Sequence, residues 1–134
     1  MRQNPRPLPP YNIAMNLQES LYISFEREKQ LRSYMPSNMQ AEKLAEFFAV
    51  CADPTRVKIL SALAMGDMCV GDIALVVQVH QSTVSHQLKT LKDKGMVVSR
   101  KIGRVAYYSL SDPSIESILN VGAERISKRA SYAV

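Results

Sequence analysis

The chain is predicted to be mainly helical with one β-hairpin, an α+β arrangement held in a single compact domain with an N-terminal extension. Three observations carry this. Apolar residues recur at helical spacing through most of the chain as far as Lys94. The pattern then switches to β-branched and aromatic residues around Gly103-Arg104. Two Asp-Pro pairs, Asp53-Pro54 and Asp112-Pro113, each mark a helix start with an N-cap carboxylate and a proline in the first turn. A length of 134 residues suits one domain with an extra helix or tail. Hydrophobic residues at 46% and charged residues at 22% are a globular balance and exclude a wholly disordered chain. No apolar run approaches the roughly 20 residues of a membrane span, and the N-terminus lacks the apolar segment of a secretory signal. The expected location is cytoplasmic, with no membrane partner.

Taken in order, residues 1–12 are rich in proline and read as an extended arm. Leu17 to Tyr34 mixes Leu17, Leu21, Ile23, Phe25 and Leu31 with charges and predicts an extra helix with an imperfect stripe. Pro36-Ser37-Asn38 is a break. The arm with its helix is assigned to residues 1–38, and the main domain to 39–130. A helix follows from about Met39 to Ala52, with Leu44, Phe47, Phe48 and Cys51 on one face. The helix opened by Asp53-Pro54 carries Val57, Ile59, Leu60 and Leu63 and stops near Gly66. A short helix over Val70 to Val77 should turn Ile73, Ala74, Val76 and Val77 inward.

Gln81 to Lys94 is the most informative segment. Val84, Leu88 and Leu91 form a narrow apolar stripe, and Gly95 supplies the C-terminal stop. The other faces present Gln81, Ser82, Thr83, Ser85, His86, Gln87, Lys89 and Thr90. Hydroxyls and amides hydrogen-bond to base edges and phosphates, whereas carboxylates would be repelled by phosphate. The hairpin of Met96–Ile102 and Val105–Leu110 comes next, with Lys101 and Arg104 at and beside its tip. Asp112-Pro113 opens a last helix to about Lys128, with Ile115, Ile118, Leu119, Gly122 and Ile126 as its stripe.

Net charge is +5, and all of the excess lies between Gln81 and Ser111. A concentrated basic segment on a balanced body is the footprint of a nucleic-acid surface, with a merely solvated face as the alternative reading of charge alone. Two short helices, the second polar and basic, read as a helix-turn-helix, and the basic hairpin after them makes it a winged variant. Gln81 to Lys89 would enter the major groove of double-stranded DNA, and Lys101 and Arg104 would lie along the flanking backbone.

The segments LAEFFAVCADPTRVKILSAL, CVGDIA, STVSHQLKTLKDKGMV and RKIGRVAYYSL resemble the ArsR/SmtB family of bacterial winged-helix repressors over roughly Ala41 to Lys128. The resemblance implies a homodimer, joined through the first and last helices of the main domain, that binds a two-fold operator and releases it when an inducer binds. It also implies sites to check for a metal. Cys69 matches a family cysteine at the start of the third helix, with Asp72 after it, but Gly71 stands where cadmium and arsenic sensors often carry a second cysteine. Residues 1–40 hold neither cysteine nor histidine to complete such a set. On the last helix Asp112 matches the acid of a zinc site, while Ser114, Arg125 and Lys128 occupy the other positions, and two cations oppose Zn²⁺.

What remains is a thiophilic-metal or thiol-reactive site centred on Cys69, whose place at a helix N-terminus favours the thiolate. Cys51 has a core position in its stripe, and packing is its simpler role. No cofactor is assigned beyond the thiophilic metal ion that Cys69 could take. Redox-only or inducer-free regulation is the alternative within the DNA-binding class, and a winged-helix protein-interaction module is the alternative outside it. Catalysis is not expected, since the chain has no phosphate-binding Gly-rich loop, no nucleophile elbow and no evident acid/base pair.

Overall fold

The computed structural model describes residues 23–132, with side chains described as far as Lys128. The chain divides into two compact units, Met1–Leu44 and Ala45–Val134. In the first, α1 spans Phe25–Arg32 and begins where the Ser24 hydroxyl accepts the Arg27 N–H at 3.2 Å. This cap sets the start of α1 at Phe25; residues 17–22 of the expected helix lie outside the described residues. No α1 residue is buried. Ser37 and Gln40 form a reciprocal capping box at 3.2 and 2.9 Å. It starts α2, Asn38–Cys51, whose C-terminal half belongs to the second unit.

In that unit follow α3 (Pro54–Met65), β1 (Met68–Cys69), α4 (Val70–Val77), α5 (Gln81–Asp93), β2 (Val97–Ile102), β3 (Val105–Leu110) and α6 (Pro113–Tyr132). Asp53 caps α3, accepting the Arg56 N–H at 2.9 Å. The hairpin pairs Ile102 with Val105 across the two-residue turn Gly103-Arg104. Gly103 has φ +64°, the left-handed conformation this tight turn needs at its first position. The sheet is antiparallel in the order β1-β3-β2, with Met68 opposite Tyr108 and Cys69 opposite Tyr107. Sequence reading gave no sign of β1, because two residues are too few to show alternation.

The core is built from Ile59, Leu60, Ala62 and Leu63 of α3, Ile73 and Val77 of α4, Val84, Leu88 and Leu91 of α5, together with Val50, Met96, Val97 and Ile115. Several expected core positions are not in it. Val57 is 38% exposed and Val76 53% exposed, because each lies beside rather than on the stripe its helix buries. On α2, Phe47, Val50 and Cys51 meet the core, while Leu44 and Phe48 are exposed. Among the described side chains of α6 only Ile115 is buried and Leu119 packs against the core; Ile118, Gly122 and Ile126 are exposed. One protomer therefore uses only part of the apolar surface of these two helices.

The connection from α4 to α5 turns at Gln78, whose φ of 57° and ψ of 49° are left-handed for a non-glycine residue. The turn lets the Val79 N–H reach the Ala74 carbonyl at 3.2 Å. Gln78→Gly removes a steric cost of about 1–2 kcal/mol and returns part of it as unfolded-chain entropy, so a net gain of about 0.5–1 kcal/mol is expected. A urea titration checks this, and a lowered midpoint would refute it.

Candidate nucleic-acid interface

Helix α5 is anchored from below and closed at its end. Val84, Leu88 and Leu91 are wholly buried, seating it against α3, α4 and β2. After Lys94, Gly95 takes φ +72°. Its N–H donates to the Lys92 carbonyl and that of Met96 to the Leu91 carbonyl, at 3.0 and 2.9 Å, while the side chains of Leu91 and Met96 are both buried. This is a Schellman stop, which turns the chain straight into β2 and so holds the hairpin next to α5. His80 stands at the N-cap but its side chain makes no cap bond, unlike Asp53 before α3.

The face turned away from the core is polar. Gln81, Ser82, Thr83, Ser85, His86 and Lys89 are exposed, and Gln87 is half-buried. Gln81 lies close over the start of α4: a Cβ on Gly71 would be 3.4 Å from its amide nitrogen. Thr90 turns its hydroxyl back to the His86 carbonyl at 3.3 Å, so that group is already engaged within the helix. No carboxylate occurs on α5 before Asp93.

The hairpin extends this face. Lys101 and Arg104 are exposed at and near its tip. Two other cations have structural partners. Lys92 of α5 donates to the Ser99 hydroxyl of β2 at 2.8 Å, and Arg100 pairs with Asp67 at 3.3 Å. Both contacts are exposed, so each contributes little to stability, but they tie helix, hairpin and the loop before β1 together. Among the described residues, Lys89, Lys94, Lys101 and Arg104 make no ion pair, leaving their charge for an external anion.

Sequence reading missed Arg56. Its Nε donates to the Gln87 Oε1 at 2.8 Å and its Nη1 to the Val50 carbonyl at 3.3 Å. The Gln87 partner lies 31 residues along the chain, so no local pattern reveals it.

The cysteines are far less enclosed by ligands than the resemblance would lead one to look for. Cys69 is half-buried at the end of β1, immediately before α4. Asp72 is exposed. Among the described residues, no three His, Cys, Asp or Glu side chains gather where they could hold a metal ion. Asp112 instead caps α6: it accepts the Ser114 N–H at 2.8 Å and the Ser114 hydroxyl, and these bonds hold its carboxyl below the usual range. Arg125 and Lys128, exposed on the same helix, add positive charge to the positions that would have to complete a zinc site. The residues present do not fit that site.

Cys51 packs against the core, and desolvation pushes its thiol up. Less thiolate at neutral pH means slower alkylation than free cysteine. Mass-mapped iodoacetamide labelling at pH 7.5 should show this, and labelling at the free-cysteine rate would contradict it.

A sequence profile described as "Bacterial regulatory protein, arsR family" matches residues 53–99. A transcriptional repressor SmtB homolog of Synechocystis sp. is 36% identical over 117 residues, covering 87% of this chain and 89% of that protein. The chain belongs to the ArsR family. Other relatives of this ArsR-family protein include a cadmium resistance transcriptional regulatory protein CadC of Listeria innocua, 34% identical over 64% of this chain and 73% of that protein. The solved antimony-specific transcriptional repressor AntR superimposes with a TM-score of 0.66 at 30% identity, covering 71% of this chain and 86% of that one. The ArsR-family chain is thus a DNA-binding transcriptional repressor with a winged helix-turn-helix: α4 and α5 are the two helices, and β2 and β3 the wing. Its family is one of regulators, not enzymes. No helix of the described residues is long and apolar enough to cross a membrane.

Proposed function

We propose that the protein binds a two-fold operator as a homodimer, with residues 39–130 as the DNA-binding and dimerising domain. Helix α5 lies in the major groove, Lys101 and Arg104 hold the flanking phosphates, and an inducer acting through the Cys69 thiol releases the complex. The observation that carries this reading is the exposed polar face of α5, free of carboxylates as far as Asp93, on a wholly buried apolar stripe. A rigid helix presenting hydroxyls, amides and a cation is suited to base edges and phosphates together. The apolar surface left exposed on α2 and α6, including Phe48, Val121 and Ile126, supports a second copy as the partner. A dimer sets two recognition helices about 34 Å apart, one turn of B-DNA. Operator DNA as the ligand supports a cytoplasmic location, and no catalytic step is part of this reading.

For the inducer, Cys69 with Asp72 offers two donors from one chain, fewer than the four of a closed zinc site. The thiol itself is the reactive feature, toward a thiophilic metal ion or a thiol-modifying agent. The test is a fluorescence-anisotropy titration of reduced protein onto its own promoter region, repeated with Zn²⁺, Cd²⁺, arsenite and an oxidant. Specific binding released by one addition, and not released in Cys69→Ser, supports the whole reading. Release that survives Cys69→Ser removes the cysteine from it, and absence of specific binding removes the operator.

The wing makes a separable prediction. Arg104→Ala should weaken binding to operator and random DNA alike and reduce the slope of log K against log salt by about one. Loss confined to the operator would instead assign Arg104 to base reading.

A further inference from the structure

Gln87 is half-buried, and its amide oxygen is held by Arg56. Arg56 is itself held at two further points. Its backbone N–H is fixed by the Asp53 cap at 2.9 Å, and its Nη1 is fixed by the Val50 carbonyl at 3.3 Å. A guanidinium has only donors and no acceptor. Its partner on the Gln87 amide must therefore be the oxygen, and the planar amide then turns its NH₂ the other way. Without Arg56, a glutamine on this face could turn over freely and offer either end to DNA.

We infer that Arg56 is a positioning residue that makes Gln87 a donor-only reader of the major groove, selecting guanine at one base pair of each half-site. This rests on the operator reading above and deepens it. Glutamine reads adenine by pairing its oxygen with the N6 amino group and its nitrogen with N7. With Oε1 drawn toward Arg56 by a charge-assisted bond, one of its two lone pairs is taken and the amide is held with its NH₂ turned away from Arg56, so it is no longer free to set oxygen and nitrogen together on adenine. The two N–H bonds of Nε2 match guanine, which shows two acceptors, O6 and N7, at the same edge. At adenine, one of them would face the N6 donor.

The experiment measures affinity of the wild type, Gln87→Glu and Arg56→Met for operator duplexes in which each base pair is replaced in turn. Wild type should prefer guanine over adenine by about tenfold or more at one pair of each half-site. Gln87→Glu keeps an acceptor for Arg56 but has no donor, so that preference should vanish while preferences at other pairs persist. Arg56→Met leaves Gln87 in place but frees it to turn, and the guanine-to-adenine ratio at that pair should fall to within about twofold. The ratio is the readout because loss of the Arg56 charge shifts all affinities together and leaves the ratio unmoved.

An adenine preference at the pair that responds to Gln87→Glu would overturn the inference. So would an unaltered ratio in Arg56→Met, or a Gln87→Glu loss that is equal at every duplex. If Arg56→Met does not fold by circular dichroism, the Gln87→Glu panel alone decides. Wild-type protein that binds all duplexes equally would overturn the operator reading together with this inference, and specific binding with an unmoved ratio would overturn the inference alone.

Discussion

Ile126→Asp is expected to yield a monomer and to lower operator affinity by on the order of 10²–10⁴-fold, the factor lost when two linked binding modules become one. Ile126 is 71% exposed on α6, and Val121 and Ile118 are exposed on the same helix. An apolar side chain that the protomer leaves in water contributes little to protomer folding, so the variant should keep its helical circular dichroism. In a dimer interface the same position would bury an unpaired carboxylate, which is strongly unfavourable. Sedimentation velocity read beside anisotropy checks both halves. A variant that remains dimeric with unchanged affinity would move the interface away from α6.

Leu88→Ala is expected to lower the unfolding free energy by about 2–5 kcal/mol, a large part of the stability of a domain this size. Leu88 is wholly buried at the middle of the stripe that seats α5, between Val84 and Leu91, which are buried to the same extent. The cavity would lie directly beneath the polar face, so operator affinity should fall along with the denaturation midpoint. Ser85→Ala makes the contrast. Its side chain is exposed, so stability should hold while discrimination between operator and random DNA falls by about 1–3 kcal/mol if the hydroxyl reads a base. Denaturation of the two variants in parallel separates support from reading. A stable Leu88→Ala would show that α5 is held by something other than its stripe.

Much of the fold was legible because the chain marks its own boundaries. Asp53-Pro54 and Asp112-Pro113 start helices where their chemistry says they should, and Gly95 and Gly103 take the left-handed conformations that end α5 and close the hairpin. The stripe of Val84, Leu88 and Leu91 is narrow enough to leave one solution for the orientation of α5. Wider stripes were read less well. Val57 and Val76 are apolar and at helical spacing, yet each stands beside the face its helix buries, an offset that periodicity does not resolve. The two-residue strand β1 and the capping box of Ser37 and Gln40 were also missed, the first for want of length and the second because Pro36-Ser37-Asn38 reads only as a break.

The order of elements, the polar recognition face and the concentration of positive charge around it are all written in the order of residues along the chain. Those are local properties, set by side-chain type and spacing within a dozen residues. Which other polar groups on that face remain free depends, except at Thr90, on contacts between elements. Lys92 is engaged by Ser99, Arg100 by Asp67, Thr90 by its own helix and the Gln87 oxygen by Arg56. Three of these four contacts join residues of different elements, and the Arg56 bond crosses 31 residues. Their partners are chosen by packing of α3, α5 and the hairpin around one core, and that choice leaves no trace in the spacing of residues along the chain.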